Sequence, residues 1–309
     1  MCDRSSLEHQ HHSHEHHHHE RDLVARPDGE SGQFRVVFTG KGGVGKTSLV
    51  AILSRLLARQ DYAVLALDAD PQMNLPWALG LDDEAARALV PLSRNPDYVE
   101  EKTGARPGSG WGLLLRLHPD ASDVVERFGV VGPDGVRLLV MGTTVQPAVG
   151  CLCPENTLLR SVVDALSLRQ KEVILMDTQA GVEHFGRALA KGFHQSVVVS
   201  DPTFNGIQVA VHAARLARQM GIPAVHLVLN RVRNDDELER AMARLAAEDD
   251  FAFTSRHVLP WDERLLRVEP DVGAFLGDSA FLRAVVKLGN RLVRTEMALR
   301  HRECAETVS

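Results

Sequence analysis

Residues 40 to 47 read Gly40-Lys-Gly-Gly-Val-Gly-Lys-Thr47, the spacing G-x-x-x-x-G-K-[ST]. Around Val44, the glycines Gly40, Gly42, Gly43 and Gly45 let successive backbone N–H groups turn inward and cradle phosphate oxygens. Lys46 then reaches the β- and γ-phosphates and Thr47 offers a hydroxyl to magnesium. Ser48 follows in the first turn of a helix whose positive dipole end faces the anion. These residues imply a site for a nucleoside triphosphate with magnesium. Acidic groups stand further on, in Asp68-Ala-Asp70-Pro71 and at Asp177, each closing an apolar run. A carboxylate at such a strand end either serves a ligand or caps a helix.

To bring these residues together the chain needs strands that end at one edge. Apolar, β-branched runs at residues 35–39, 63–67, 136–141, 173–176, 196–200 and 224–229 are expected as strands, separated by helical patterns. They are apolar almost throughout, so both faces are buried. The expected class is therefore α/β, a mostly parallel sheet with helices on both faces. The phosphate loop follows the first strand and opens a helix carrying Leu49, Ile52, Leu53, Leu56 and Leu57. Between Leu81 and Gly135, frequent Pro and Gly break the pattern, which predicts an excursion with a few short helices. Residues 280–299 predict a closing helix on the sheet, with Arg283, Lys287, Arg291 and Arg294 on its other face.

The composition, 309 residues with 44% hydrophobic and 25% charged, is that of a globular protein. Residues 1–32 are too poor in apolar side chains to fold and are expected as a disordered His-rich tail, leaving 33–309 as a single phosphate-loop ATPase domain. No apolar run approaches the roughly 20 residues of a membrane span. The N-terminus lacks the pattern of a secretory signal, so the expected location is the cytoplasm, with no membrane partner. The net charge of −6 argues against nucleic acid as a partner. Four cysteines in a reducing compartment read as metal-binding or incidental rather than disulfide-forming.

Lys41, directly after the first glycine, resembles the second lysine of the deviant phosphate-loop (deviant Walker A) ATPases, the class of the nitrogenase iron protein and the partition and septum-positioning ATPases. The resemblance implies that Lys41 crosses a homodimer interface to the partner's nucleotide, as an arginine finger does. It likewise implies that Asp177 holds magnesium through water, that Asp70 positions the attacking water, and that Asp68 supports the metal shell. Gly181 would sense the γ-phosphate through its N–H. Asn230, after the strand at 224–229, would hydrogen-bond adenine, though Asn there is also a common turn residue. Pro260 lies where relatives place a backbone contact to the purine. No N-K-x-D guanine motif is present, which favours ATP.

Cys151-Leu-Cys153-Pro154-Glu155 leads from a loop into a helical pattern. Two thiols do not complete a four-coordinate metal site, but a two-fold axis would bring four thiolates around one ion. The alternative is a pair of small residues in a turn. The longer stretches Cys151-Leu-Cys-Pro-Glu-Asn156 and Asp177-Thr-Gln-Ala-Gly181-Val-Glu183-His184 resemble the carbon monoxide dehydrogenase maturation ATPases of the CooC type, over about residues 35–265. That resemblance implies an ATP hydrolase that dimerises on ATP and binds Ni(II) or Zn(II) at Cys151 and Cys153. It would act as a nickel metallochaperone, with a nickel carbon monoxide dehydrogenase as client. A four-sulfur site suits zinc at least as well as nickel. Gln179 departs from the acidic residue relatives often carry.

His9, His11, His12, His14, His16, His17, His18 and His19 crowd the N-terminal segment. Their interruption by Gln10, Ser13 and Glu15 reads as a native, loose nickel reservoir, with a cloning tag as the alternative. Two rival functions remain at this level. One is a positioning ATPase of the same fold acting on a surface through the basic C-terminal helix. The other is a reductase component with an iron–sulfur cluster on the paired cysteines.

Overall fold

A computed structural model describes residues 33–107, 115–142, 154–167, 169, 172–179, 192–248 and 251–308. The His-rich tail, Cys151, Cys153 and Gly181 lie outside the described residues. Eight strands form one sheet: β1 (Phe34–Gly40), β2 (Ala63–Ala69), β3 (Val130–Val131), β4 (Arg137–Val140), β5 (Glu172–Thr178), β6 (Gln195–Ser200), β7 (Ala224–Val232) and β8 (Ser255–Pro260). Their order is β3-β4-β2-β5-β1-β6-β7-β8. Every pairing is parallel except that of the short edge strand β3 with β4. This is the α/β sheet expected from the six apolar runs, which become β1, β2, β4, β5, β6 and β7.

Helices cover both faces because the strands alternate their side chains between two apolar clusters. Phe34, Val36 and Phe38 of β1 pack with α1 (Lys46–Ala58), α2 (Leu75–Leu79) and the C-terminal helix α10 (Ala280–Val308). Val37 faces the opposite cluster, built on α4 (Pro96–Thr103), α5 (Val124–Phe128), α6 (Pro154–Ser167), α7 (Phe204–Gln219) and α8 (Asp235–Ala247). Leu49, Ile52, Leu53, Leu56 and Leu57 of α1 are all buried, as their helical spacing predicts. The excursion after Leu81 holds α3 (Asp83–Ala88), a 3₁₀ turn, α4 and α5. Asn95 caps α4 by accepting from the Tyr98 N–H at 3.0 Å, with Pro96 in the first turn. A short α9 (Arg264–Val268) precedes the last helix.

The C-terminal helix closes the sheet as expected. Its Phe281, Leu282, Val285, Leu288 and Leu292 are buried, while Arg283, Lys287, Arg291 and Arg294 are exposed. No helix among the described residues is long and apolar enough to cross a membrane.

Candidate nucleotide site

Three strand ends build the floor of the site. In register, Phe38 of β1 pairs with Asp177 of β5, and Asp177 pairs with Asp68 of β2. The order β2-β5-β1 thus sets two carboxylates side by side below the loop that leaves β1, at the carboxyl edge where α/β sheets take their ligands. The loop is held tightly. Gly40 has φ +135°, and a Cβ there would stand 2.0 Å from the Val199 carbonyl oxygen of β6, so only glycine fits. Beyond Gly45 the chain enters α1, whose N-terminus opens on the cleft.

That cleft, of about 760 Å³, is lined by Gly42, Gly43, Gly45, Lys46, Thr47 and Ser48. Asp70 and Gln179 face it from the ends of β2 and β5. Lys46 is buried, and its Nζ donates to the carbonyls of Gly40 and Lys41, both at 3.1 Å. Burial holds its ammonium below the ordinary lysine range, offset in part by Asp177 and Asp70. A buried, compact cation in a glycine-rich loop at the N-terminus of a helix is suited to bind phosphate.

Both floor carboxylates are buried. Asp68 accepts from the backbone N–H groups of Asp70 and Leu75, each at 3.0 Å, which ties the 70–75 segment to the floor. Thr47 Oγ1 donates to Asp177 Oδ2 at 2.6 Å. Asp177 Oδ1 is buried with no hydrogen-bond partner among the described residues. Burial pushes the Asp177 carboxyl up to about 7, against the pull of Thr47 and Lys46. Burial first, and then the charge of Asp177, hold Asp68 well above the usual carboxylate range. An unpartnered oxygen beside a hydroxyl and a second carboxylate fits magnesium, a hard cation that takes oxygen ligands. Thr47 and Asp177 would hold the ion, with Asp68 behind them.

Asn230 and Pro260 line a smaller pocket that adjoins the loop at Gly45 and Ser48. Asn230 Nδ2 donates to the Val44 carbonyl at 2.7 Å. Val44 itself is buried and offers the cleft no side chain. Lys41 is not among the cleft-lining residues. Its half-exposed side chain points to β6, with Nζ 3.9 Å from Asp201 Oδ2. The structure therefore brings Lys46, Thr47, Asp68, Asp70, Asp177, Asn230 and Pro260 to one edge and leaves Lys41 at the rim. Arg231, Trp77 and Glu269 also line the cleft and escaped the sequence reading. Arg231 reaches it through a left-handed backbone, φ +62°, at a break in the β7–β8 pairing that no sequence period announces.

The Asp177 carboxyl makes a testable contribution to stability. Its folded-state pKa is raised from 3.8 to about 7, so the folded chain keeps a proton that the unfolded chain releases over that interval. Stability from this group is present at acid pH and is lost as pH rises through about 7. Asp177→Asn should therefore stabilise the metal-free protein at pH 8, by on the order of 4 kcal/mol, and leave it little changed at pH 4. Urea unfolding at both pH values checks this, and identical pH slopes in the two proteins would refute it.

Comparison with known proteins places this architecture. The profile of the CobQ/CobB/MinD/ParA nucleotide binding domain matches residues 36–270. An ATP-binding protein of Methanocaldococcus jannaschii is 32% identical over 84% of this chain and 98% of its own length. The carbon monoxide dehydrogenase accessory protein CooC of Rhodospirillum rubrum is 37% identical over 64% of this chain and 74% of its own. Among solved structures, the cell division ATPase MinD of Pyrococcus furiosus superposes with a TM-score of 0.58 at 22% identity, covering 85% of this chain and 99% of that one. MinD of Pyrococcus horikoshii, solved with Mg-ADP, gives 0.56 at 21%, covering 83% and 94%. With its phosphate loop at the centre of a parallel sheet, the chain belongs to the CobQ/CobB/MinD/ParA nucleotide-binding domain family of P-loop ATPases.

Proposed function

We propose that the protein is an ATP-driven nickel metallochaperone that dimerises on ATP and assists nickel insertion into a carbon monoxide dehydrogenase. One observation carries the reading: the likeness to CooC, in a chain that also holds the Cys151-Leu-Cys153 pair. In the proposed cycle, Gly40 to Ser48 and Gly181 hold the triphosphate, while Asn230 and Pro260 hold adenine. Magnesium supplies charge neutralisation at the β- and γ-phosphates when bound. Asp70, on the cleft wall, orients the attacking water. Lys46 offsets phosphate charge from within, and Lys41 leaves Asp201 for the partner's nucleotide. Nickel, or zinc in its place, is the cargo, held between two copies by four thiolates.

The test is maturation. Nickel carbon monoxide dehydrogenase produced alone, with this protein, and with its Lys41→Ala variant is assayed for CO oxidation across a nickel titration. Wild type should raise activity at limiting nickel and the variant should not. Equal activity in all three would sink the proposal.

The His-rich tail gives a separable expectation. Deleting residues 1–32 should leave folding and the ATPase rate near wild type, because the deleted segment is poor in apolar residues and precedes β1. Nickel capacity should fall by several weakly held ions, those that leave as imidazoles protonate below about pH 6.5. Client activity from the truncated form should drop first when nickel is scarce. Nickel capacity unchanged by the deletion would remove the reservoir role.

A second reading, a positioning ATPase, is favoured by the exposed Arg283, Lys287, Arg291 and Arg294 of α10. Against it, the apolar face of that helix is already spent on the sheet. ATP-dependent sedimentation with anionic liposomes would support this second reading over the first.

A further inference from the structure

Asn230 stands where β7 breaks its pairing with β8. The register shifts between Leu229 and Val232, and Arg231 takes up the left-handed conformation. Both ends of the Asn230 carboxamide are engaged within the chain. Nδ2 donates to the Val44 carbonyl at 2.7 Å, and Oδ1 accepts from the Arg231 N–H at 2.9 Å. The residue is only 7% exposed. It is a fixed strut between a sheet strand and the middle of the phosphate loop.

The strut determines where one particular N–H points. In a planar trans peptide the C=O of one residue and the N–H of the next point in opposite directions. With the Val44 carbonyl held toward β7, the Gly45 N–H is turned away from β7. Gly45 lines the cleft. Its own conformation fits the strut: φ is +97°, and a Cβ there would lie 2.6 Å from Asn230 Nδ2. The side chain of Asn230 and the absence of one at Gly45 are complementary.

The geometry points to Asn230 as a positioning residue for phosphate: by holding the Val44 carbonyl it aims the Gly45 N–H at the anion, independently of any contact to the base. This rests on the reading of the cleft as a nucleotide site. It also links the two halves of that site, because the second N–H of the same carboxamide, with no partner among the described residues, can donate to adenine. Base and phosphates would then be read by one rigid side chain.

The experiment separates the two roles with a ligand that has no base. Affinities for ATP and for magnesium tripolyphosphate are measured by calorimetry on wild type, Asn230→Ala and Asn230→Leu, the last an apolar side chain of the same branched shape that can neither donate nor accept. Both variants should weaken tripolyphosphate by about tenfold or more, with ATP weakened at least as much. Tripolyphosphate binding unchanged while ATP binding falls would confine Asn230 to the base and overturn the proposal. Hydrogen exchange on the ligand-free proteins gives an answer that does not depend on nucleotide. The peptide spanning residues 43–46 should exchange about tenfold faster in both variants while β6 stays as in wild type, and unaltered exchange there would also overturn it. A wild type that fails to bind ATP would count against the nucleotide reading alone, since the exchange result still decides the strut.

Discussion

Lys46→Ala should weaken ATP binding by at least about a hundredfold, whereas Lys41→Ala should leave it within about tenfold and still suppress hydrolysis. The difference follows from where the two ammonium groups stand. Lys46 is buried, bonded to two carbonyls of its own loop and shielded from water, so its charge acts at low dielectric on any anion cradled there. Nothing else among the described cleft residues supplies positive charge at that depth. Lys41 sits at the rim, half exposed, 3.9 Å from Asp201. An exposed pair at that distance is worth well under about 1 kcal/mol, so releasing the lysine costs little. Its contribution is expected only when a second copy presents a nucleotide. Calorimetric ATP affinity, single-turnover hydrolysis and sedimentation with ATP on both variants check this. Wild-type hydrolysis by Lys41→Ala would show that no cross-dimer lysine is needed.

The sequence made the floor of this site legible and hid its walls, for a physical reason. Strands buried on both faces are long apolar runs, so Val36 to Phe38, Leu65 to Leu67 and Ile174 to Met176 declare themselves. The carboxylates that end two of them fall at one edge by parallel pairing alone. The phosphate loop is local chemistry, readable from Gly40 to Thr47. Strand β8 went unread because it is an edge: Arg256 is exposed, Ser255 and His257 are polar, and only Leu259 is fully buried. Strand β3, two residues long, offers no period to detect. The cleft walls at Trp77, Arg231 and Glu269 depend on a short helix, a left-handed residue and a loop from distant parts of the chain. Asn230 was legible as a residue after a strand, but its bond to Val44, 186 positions away, is a product of tertiary packing.

The cysteine pair carries the other large effect. Cys151→Ser and Cys153→Ser should each abolish the tight site of one metal per dimer, because a change in one sequence removes a ligand from both chains. Two of four thiolates are then gone, and Ni(II) or Zn(II), both borderline ions, is left with a neutral hydroxyl, a poor ligand, in their place. The loss should exceed the roughly 100-fold that second-shell substitutions cost at metal sites. ATP binding should persist, since the phosphate loop lies on another segment and α6, which Pro154 opens, packs on the face of the sheet opposite α1. Cys304→Ser, on the C-terminal helix α10, is the matched control and should keep the site. Equilibrium dialysis is done on protein lacking residues 1–32, which removes the imidazole background, with nickel and zinc compared at neutral pH. Metal bound at one ion per dimer in wild type and lost in both cysteine variants supports the shared thiolates. A visible chromophore in protein prepared without oxygen would instead indicate a cluster. A tight site that survives both substitutions would place the cargo elsewhere on the chain.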